Sequence, residues 1–494
     1  MKTKPEQIHI NTTESEVKLD RSVLNTIASC HAYLALREDY REQLRELQEE
    51  MKFNYLRCHG IFSDQMGVYR EYVHGQPVFN FQLVDKVYDF FLSIGIRPFV
   101  ELSFMPSHLA SGNATCFEYN ANVSMPKTMV GWKNLVIAFL KHCIERYGLR
   151  EVRRWYFEVW NEPDISYFFD GVQKDYFALY KATADAVKSV NTSLRVGGPA
   201  TSKNLWVDDF LKFCKKSKAP VDFVSTHHYC ANTAIALNAD GTKNRQYHGQ
   251  PRMAQDIKGV REQIRASAFP KLELHYTEWN VTPFHVDSFA KDSEFTSVFA
   301  LQTILDTQNL TNSYAFWAFS DVFEESGPAT HPFCGLYGMI NLHGIHKPVY
   351  HAFSFFSRLY PNRIAPEIPG AFVTTDKKGN FRILVWNFQD AVKPEFTGGD
   401  WKIGNHSRNL TLKLENVRGS YRVIRECTGL TAGNSFRAWK KIGSPQYLTQ
   451  KQVAILRKKS KPLQSPVRTI TAKGNLELKL ILKPCDIQFI EIKP

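Results

Sequence analysis

Paired cysteines are missing from this 494-residue sequence: its nine cysteines, at 30, 58, 116, 143, 214, 230, 334, 427 and 485, include no Cys-x-x-Cys step and are odd in number. Neither a disulfide framework nor a zinc site is signalled, and reduced thiols are expected. Missing too is any run of about 18 apolar residues, so no membrane span and no membrane partner are expected. The first twenty residues, MKTKPEQIHINTTESEVKLD, hold no stretch resembling a signal-peptide core, which points to a soluble cytoplasmic protein. On that expectation the Asn-x-Ser/Thr triplets, such as those at Asn113 and Asn409, are chance matches. No internal repeat, low-complexity tract or nucleic-acid motif occurs.

What is present is material for a large packed core, with 43% hydrophobic, 13% aromatic and 22% charged residues. The length exceeds what a single domain commonly holds, so a large domain with a smaller companion is expected. The formal net charge is +13. That excess lies in residues 351–494, while residues 1–350 are slightly acidic. It peaks in residues 451–468, KQVAILRKKSKPLQSPVR, where the absence of interleaved aromatics favours a solvated loop over a polyanion contact, and no nucleic-acid partner is expected.

Between about residues 25 and 320, short β-branched or aromatic runs alternate with amphipathic stretches of helical length. Eight runs stand out: NTIASCH, FNYLRCH, RPFVELSF, RRWYFEVWNEP, LRVGGPA, VDFVSTHHY, LELHYTEWN and SYAFWAFS. Residues 38–51, 81–94, 131–147 and 174–190 carry apolar side chains at three- and four-residue spacing, as helices between strands require. After about residue 361, AFVTTD and FRILVWNF flank the turn-prone DKKGN, and LELKLILKP and CDIQFIEIKP alternate again. The expected architecture is therefore α/β: a (β/α)8 TIM barrel over residues 21–360 and a C-terminal antiparallel β-sandwich over 361–494. Residues 1–20, with the strand-like IHINTTESEVKL, are expected to pair with the sandwich.

Active sites of TIM barrels lie at the C-terminal ends of the strands. Polar residues closing the runs are Arg57 and His59 on the second, Asn161 and Glu162 on the fourth, and His227, His228 and Tyr229 on the sixth. Glu278 closes the seventh, and Asp321, Glu324 and Glu325 follow the eighth. A Glu at a strand end can merely cap the next helix. Glu162 and Glu278 together, however, supply the two carboxyls that glycoside hydrolysis needs, one to protonate the leaving oxygen and one to capture the anomeric carbon. Among Trp160, Phe168, Phe169, Trp279, Phe316 and Trp317, most are expected in the core, and those facing the barrel mouth can stack on sugar. Adjacent strand residues face opposite ways, so His227 and His228 cannot chelate one ion, and no metal or other cofactor is expected.

These motifs resemble glycoside hydrolase family 39, the family of β-xylosidases and α-L-iduronidases. The likeness runs through LREDYREQL, YLRCHGIFSD, WYFEVWNEPD, VDFVSTHHY, YTEWN, FWAFSDVFEE and PFCGLYGMINLHGIHKPVYHAF, in the family's order. It implies that Glu162 is the general acid/base and Glu278 the nucleophile. Asn161 matches the side chain that binds the sugar 2-hydroxyl, and Tyr229 the phenol beside the nucleophile. Arg57, His59, His227, Trp317 and Glu324 fall where the family lines its sugar subsite, with Trp279 among the aromatics assigned to substrate. Of the adjacent acids after the eighth strand, Glu324 is favoured over Glu325. Cys30, Cys58, Ala318 and the Cys334-Gly335 step depart from the usual pattern, which bears on specificity more than on activity.

The resemblance implies a retaining, exo-acting enzyme whose partner is an oligosaccharide, with a β-xylosidase trimming short xylo-oligosaccharides as the first choice. An α-L-iduronidase or another β-glycosidase is the nearest alternative, and a catalytically silent carbohydrate-binding protein is the alternative of another class. Assembly into a homo-oligomer stays open. The negative charge of Glu278 is expected to raise the proton affinity of Glu162, keeping it ready to donate near neutral pH.

Overall fold

The structure, a computed structural model, describes residues 5–14, 16–72, 75–230, 235–237, 243–248, 253–285, 287–394 and 401–494. Residues 1–4 and 15 of the N-terminal segment lie outside the described residues.

Eight parallel strands close into a barrel: β1 (Thr26–His31), β2 (Tyr55–His59), β3 (Arg97–Leu102), β4 (Tyr156–Val159), β5 (Arg195–Thr201), β6 (Phe223–Tyr229), β7 (Glu273–Asn280) and β8 (Ser313–Phe316). They are the eight runs read from the sequence, trimmed to the part that pairs, with β5 reaching one residue further, to Thr201. A helix follows each strand: α1 (Glu38–Met51), α2 (Gln82–Ser93), α3 (Met129–Tyr147), α4 (Gln173–Val190), α5 (Val207–Ser217), α6 (Met253–Ala266), α7 (Glu294–Asp306) and α8 (Pro348–Ser357). The helices begin and end where their chemistry directs. In α1 the acidic Glu38 and Asp39 occupy the positive N-terminal turn, and Tyr40, Leu44, Leu47 and Met51 form one buried stripe. The Thr128 hydroxyl accepts the Gly131 N–H at 3.1 Å to cap α3. Among the described residues no helix is long and apolar enough to cross a membrane.

Inside the barrel the period-two alternation of the strands stacks side chains in layers. Phe99, Tyr156 and Phe223 plug the bottom with His275, the Phe99 and Tyr156 rings stacking at 4.9 Å. Two residues further along the strands, Arg57, Glu101, Glu158 and Thr277 make a polar layer above this plug. A hydrophobic plug below and a charged layer above leave the mouth as the place where charge can be used.

One irregularity decides what reaches that mouth. Between β6 and β7 the register runs Thr226 to Tyr276 and then His227 to Glu278, so Thr277 is an extra, bulged residue. The bulge turns both Thr277 and Glu278 toward the interior. Trp279 then falls on the outer face, where its indole stacks on Tyr314 at 4.5 Å and packs against Phe353 of α8.

The C-terminal part forms a nine-stranded curled sheet. It contains β9 (Asn362–Ile364), β10 (Ala371–Thr375), β11 (Phe381–Trp386), β12 (Arg408–Thr428), β13 (Arg468–Leu482) and β14 (Ile487–Lys493). The long β12 pairs with β13 from Arg408 to Val423 and with β14 from Arg422 to Thr428, which lets the sheet curl around a core rich in leucine, isoleucine and valine. The N-terminal strand Glu6–Asn11 joins this sheet beside β12, in parallel rather than antiparallel pairing. Ile8 and Ile10 enter the same core.

The stretch expected to be a solvated loop is instead largely helical. Helix α9 (Ser435–Lys441) is followed by α10 (Gln450–Ser460), which starts at a Thr449/Gln452 capping box. Its Leu456 is buried against Ile345, Phe333, Phe436 and Trp439. One buried leucine and a good cap are enough to order a helix whose remaining faces are basic and solvated.

Candidate active site

The C-terminal ends of the barrel strands surround a cavity of about 340 Å³. Glu162 and Glu278 face each other across it, with one carboxyl oxygen of each within 4.8 Å of the other. Glu162 sits just past β4 with a left-handed backbone, φ 39°, and its N–H donates to the Ala200 carbonyl at 2.8 Å. A positive φ at a non-glycine residue costs on the order of 1–3 kcal/mol and persists only when the surroundings enforce it. Here the hydrogen bond to β5 and the following Pro163 hold the chain.

Arg57 lies directly beneath the site. Its guanidinium donates to Glu278 Oε1 at 2.8 Å, to Glu158 Oε2 at 2.6 Å and to Asn161 Oδ1 at 3.0 Å, and pairs with Glu101 Oε2 at 2.6 Å. Burial alone would lower its pKa, but the charges of Glu158, Glu101 and Glu278 outweigh this and raise it. The second oxygen of Glu278, Oε2, accepts the Tyr229 hydroxyl at 2.7 Å. Glu278 is thus held by two donors on its two oxygens, which fixes its orientation. Because a guanidinium can only donate, it takes Oδ1 of Asn161 and leaves the amide NH2 for the cavity.

His227 stands behind Glu162, and the hydrogen bonds around it leave one consistent proton arrangement. Thr277 has a single hydroxyl proton, which it gives to Glu158 Oε1 at 2.8 Å. Its oxygen can then only accept from His227 Nε2, 3.1 Å away. His227 therefore carries its proton on Nε2, and its bare Nδ1 lies 2.9 Å from Glu162 Oε1. Burial lowers the His227 pKa to about 4 in spite of the opposing charge of Glu278, so the ring stays neutral. Two acceptors at 2.9 Å need a proton between them, and Glu162 supplies it. Burial first, then the charge of Asp164, raises the Glu162 carboxyl to about 8. Burial and Asp164, rather than the expected charge of Glu278, are the leading causes of that shift.

His59 closes the inner wall. Its Nδ1 bonds Glu101 Oε2 at 2.7 Å, and its Nε2 lies 3.4 Å from Glu325 and 3.6 Å from Glu278. Burial would lower its pKa, but Glu101, Glu325 and Glu278 together raise it to about 10, leaving a cation in the wall. Burial raises Glu325 to about 7 against the pull of His59. The Trp317 ring packs 4.7 Å from the His59 ring and also lines the cavity.

The structure thus brings Glu162, Glu278, Asn161, His59, Tyr229 and Trp317 to the cavity surface. Arg57 and His227 do not line it; they lie behind the two glutamates and act through them. Two assignments are corrected. Trp279 points away from Glu278 into the barrel–helix layer, its Nε1 donating to the Tyr314 carbonyl at 3.2 Å, because consecutive residues of an extended strand face opposite sides. Glu324 likewise points outward, to Arg37 at 3.1 Å and His31 at 3.2 Å, and Glu325 takes the place in the wall. The sequence reading also missed Glu101 and Glu158. Their signal was present, a glutamate inside each of the apolar runs FVEL and YFEV. Phe117, Tyr167, Lys203, Phe284 and His285 come to the rim from loops far apart in sequence, with no motif to announce them, and Tyr337 comes from within the PFCGLYGMI stretch.

Among the described residues, Glu162, His227 and Glu278 form the cluster whose ligand atoms could close on one cation. The fit is poor: a cation there would compete with Arg57 and Tyr229 for Glu278 and with the proton that joins Glu162 to His227.

A (β/α)8 barrel that presents two facing glutamates at the ends of β4 and β7 defines a glycoside hydrolase. Known proteins place it further. The Glycosyl hydrolases family 39 profile matches residues 6–477. The chain is 35% identical to a β-xylosidase of Caldicellulosiruptor saccharolyticus over 99% of this chain and 98% of that relative. It is 35% identical to a β-xylosidase of Geobacillus stearothermophilus over 93% and 90%. The crystal structure of a monomeric β-xylosidase from Caulobacter crescentus CB15 matches with a TM-score of 0.90 at 31% identity, covering 99% of each chain. The chain belongs to glycosyl hydrolase family 39.

Proposed function

We propose that the protein is a retaining, exo-acting β-xylosidase that releases xylose from short xylo-oligosaccharides by double displacement. The observation that carries the reading is the separation of the two carboxyls. An oxygen of Glu162 within 4.8 Å of one of Glu278 favours direct attack on the anomeric carbon, for which about 5–5.5 Å between carboxyls is typical, over the wider gap of about 6.5–9.5 Å in which an inverting enzyme holds its water.

In the first step Glu278, ionised and oriented by Arg57 and Tyr229, forms a bond to the anomeric carbon while Glu162 gives its proton to the departing oxygen. In the second step Glu162, now ionised, takes a proton from water, and that water's oxygen displaces Glu278. His227 assists by accepting a hydrogen bond from Glu162 when the acid is protonated. The NH2 of Asn161 faces the cavity and is free to bind a sugar hydroxyl. An exo mode agrees with the closed inner wall of His59, Trp317 and Glu325.

The choice of xylose rests on the two β-xylosidases matched over nearly the full chain. A uronate in the inner part of the cavity would face Glu325 and Glu278, with the His59 charge already shared with Glu101, which disfavours the iduronidase alternative. Nine unpaired cysteines suit a reducing compartment, so cytoplasmic trimming of oligosaccharides is the setting that fits. A panel of nitrophenyl glycosides should show preference for the β-xyloside, and proton NMR should show β-xylose as the first product. An α-anomer first, or no cleavage of any glycoside, would sink the proposal.

A further inference from the structure

The loop after β5 places a lysine in the cavity under unusual backbone conditions. Ala200 near the end of β5, and Lys203, Asn204 and Trp206 in the loop, all have positive φ, 55°, 53°, 61° and 60°. Side chains with a Cβ rarely adopt this region, and such a cluster is kept only where the fold enforces it. Here the loop is bolted down. The N–H and hydroxyl of Ser202 both donate to Asp164, and the Tyr276 hydroxyl donates to Asn204 Oδ1 at 2.7 Å. The bolt is attached two residues beyond Glu162, so the loop and the acid/base are held as one piece.

Lys203 is the product of this strain. It lines the cavity and is exposed, its charge acts on Glu162 and Asp164 from a distance, and among the described residues no carboxylate forms an ion pair with it. It stands on the Glu162 side, and that is the side toward which the leaving group departs, because Glu162 protonates the leaving oxygen. The sugar that becomes attached to Glu278 lies on the other side, against His59 and Glu325. An ammonium with no ion-pair partner among the described residues, set on the exit side and apart from the His59 cation of the inner wall, is complementary to one kind of aglycone.

We propose that Lys203 makes the enzyme select leaving groups that carry a carboxylate, as in acid-substituted oligosaccharides, by pairing with that carboxylate outside the glycone pocket. The proposal rests on the β-xylosidase reading and adds to it a specificity-determining residue for the aglycone. The hydrogen-bonded loop fixes where the Lys203 side chain starts, beside Glu162, while its ammonium stays free to reach a carboxylate on the leaving group.

The test uses two β-xylosides, of 3-(carboxymethyl)phenol and of its primary amide. The methylene insulates the phenol, so the two leaving groups differ in charge and hardly in basicity. The readout is the ratio of kcat/KM for the acid to that for the amide, which cancels any general loss of activity in a variant. A partly exposed ion pair is worth up to about fivefold. The ratio should therefore fall roughly threefold to fivefold from wild type to Lys203→Met, hold in Lys203→Arg and fall further in Lys203→Glu. In wild type it should also collapse toward the Lys203→Met value at about 1 M salt, where screening reaches about 3 Å. A ratio that is the same in all four proteins overturns the inference and leaves the β-xylosidase reading intact. Failure of wild type to cleave either xyloside overturns both.

Discussion

Replacing Thr277 by Val tests the proton arrangement around Glu162, the proposed acid/base. The substitution is nearly isosteric, removes the acceptor for His227 Nε2 and the donor to Glu158, and leaves Glu162 and Glu278 in place. With no partner for Nε2–H, a buried donor is left unsatisfied at a cost of about 1–3 kcal/mol. The ring can avoid that cost by moving its proton to Nδ1. It then donates to Glu162 at the 2.9 Å contact instead of accepting from it, which stabilises the ionised carboxyl. The Glu162 pKa, raised to about 8 in the native site, must fall. If it falls to about 7, the protonated fraction at pH 8 drops from about one half to about one tenth, a roughly fivefold loss, equivalent to about 1.4 kcal/mol for each tenfold change in proton affinity. The assay is the pH profile of kcat/KM, whose basic limb reports the acid in the free enzyme. The limb should move to lower pH. Xylobiose, whose leaving group needs the proton, should lose more activity than dinitrophenyl xyloside, which does not. An unmoved limb with equal losses on both substrates would refute the assigned tautomer.

Other outcomes follow from the same geometry. Glu278→Ala should abolish turnover, while Glu162→Ala should keep activity on xylosides with good leaving groups and recover further with azide, the product being a glycosyl azide identifiable by NMR. Glu325→Gln should raise Tm at pH 8 and change it little at pH 5. The sign follows because burial raises Glu325 to about 7: stability from its neutral form is complete below the unfolded value near 4.5 and lost as pH rises through 7, up to about 3 kcal/mol. Trp279→Ala should cost about 3–5 kcal/mol in denaturant unfolding, as expected for emptying a buried indole site, with KM of the folded protein near the native value. A large rise in KM without loss of stability would return Trp279 to the substrate.

Much of the molecule could be read from the chain because the relevant signals are local. Strand runs such as RPFVELSF and VDFVSTHHY, separated by stripes such as Tyr40, Leu44, Leu47 and Met51, suffice to specify eight βα units, since burying one face of each element leaves few other arrangements. The strand-end rule then singled out Glu162 and Glu278. What the chain did not disclose depends on register and on neighbours brought together by closure. An extra residue at Thr277 shifts which side chains face inward, so Glu278 enters the site and Trp279 leaves it, a change invisible to period-two counting. Choosing Glu325 over Glu324 required knowing which side of a loop met His59. The proton affinity of Glu162 was legible in direction but not in cause, because burial, Asp164 and the Thr277–His227 chain act through space. Sequence alone determined the barrel and its two acids; tertiary structure alone decided their protonation, their orientation by Arg57 and Tyr229, and the lysine at the rim, because electrostatics follows distance and desolvation rather than order along the chain.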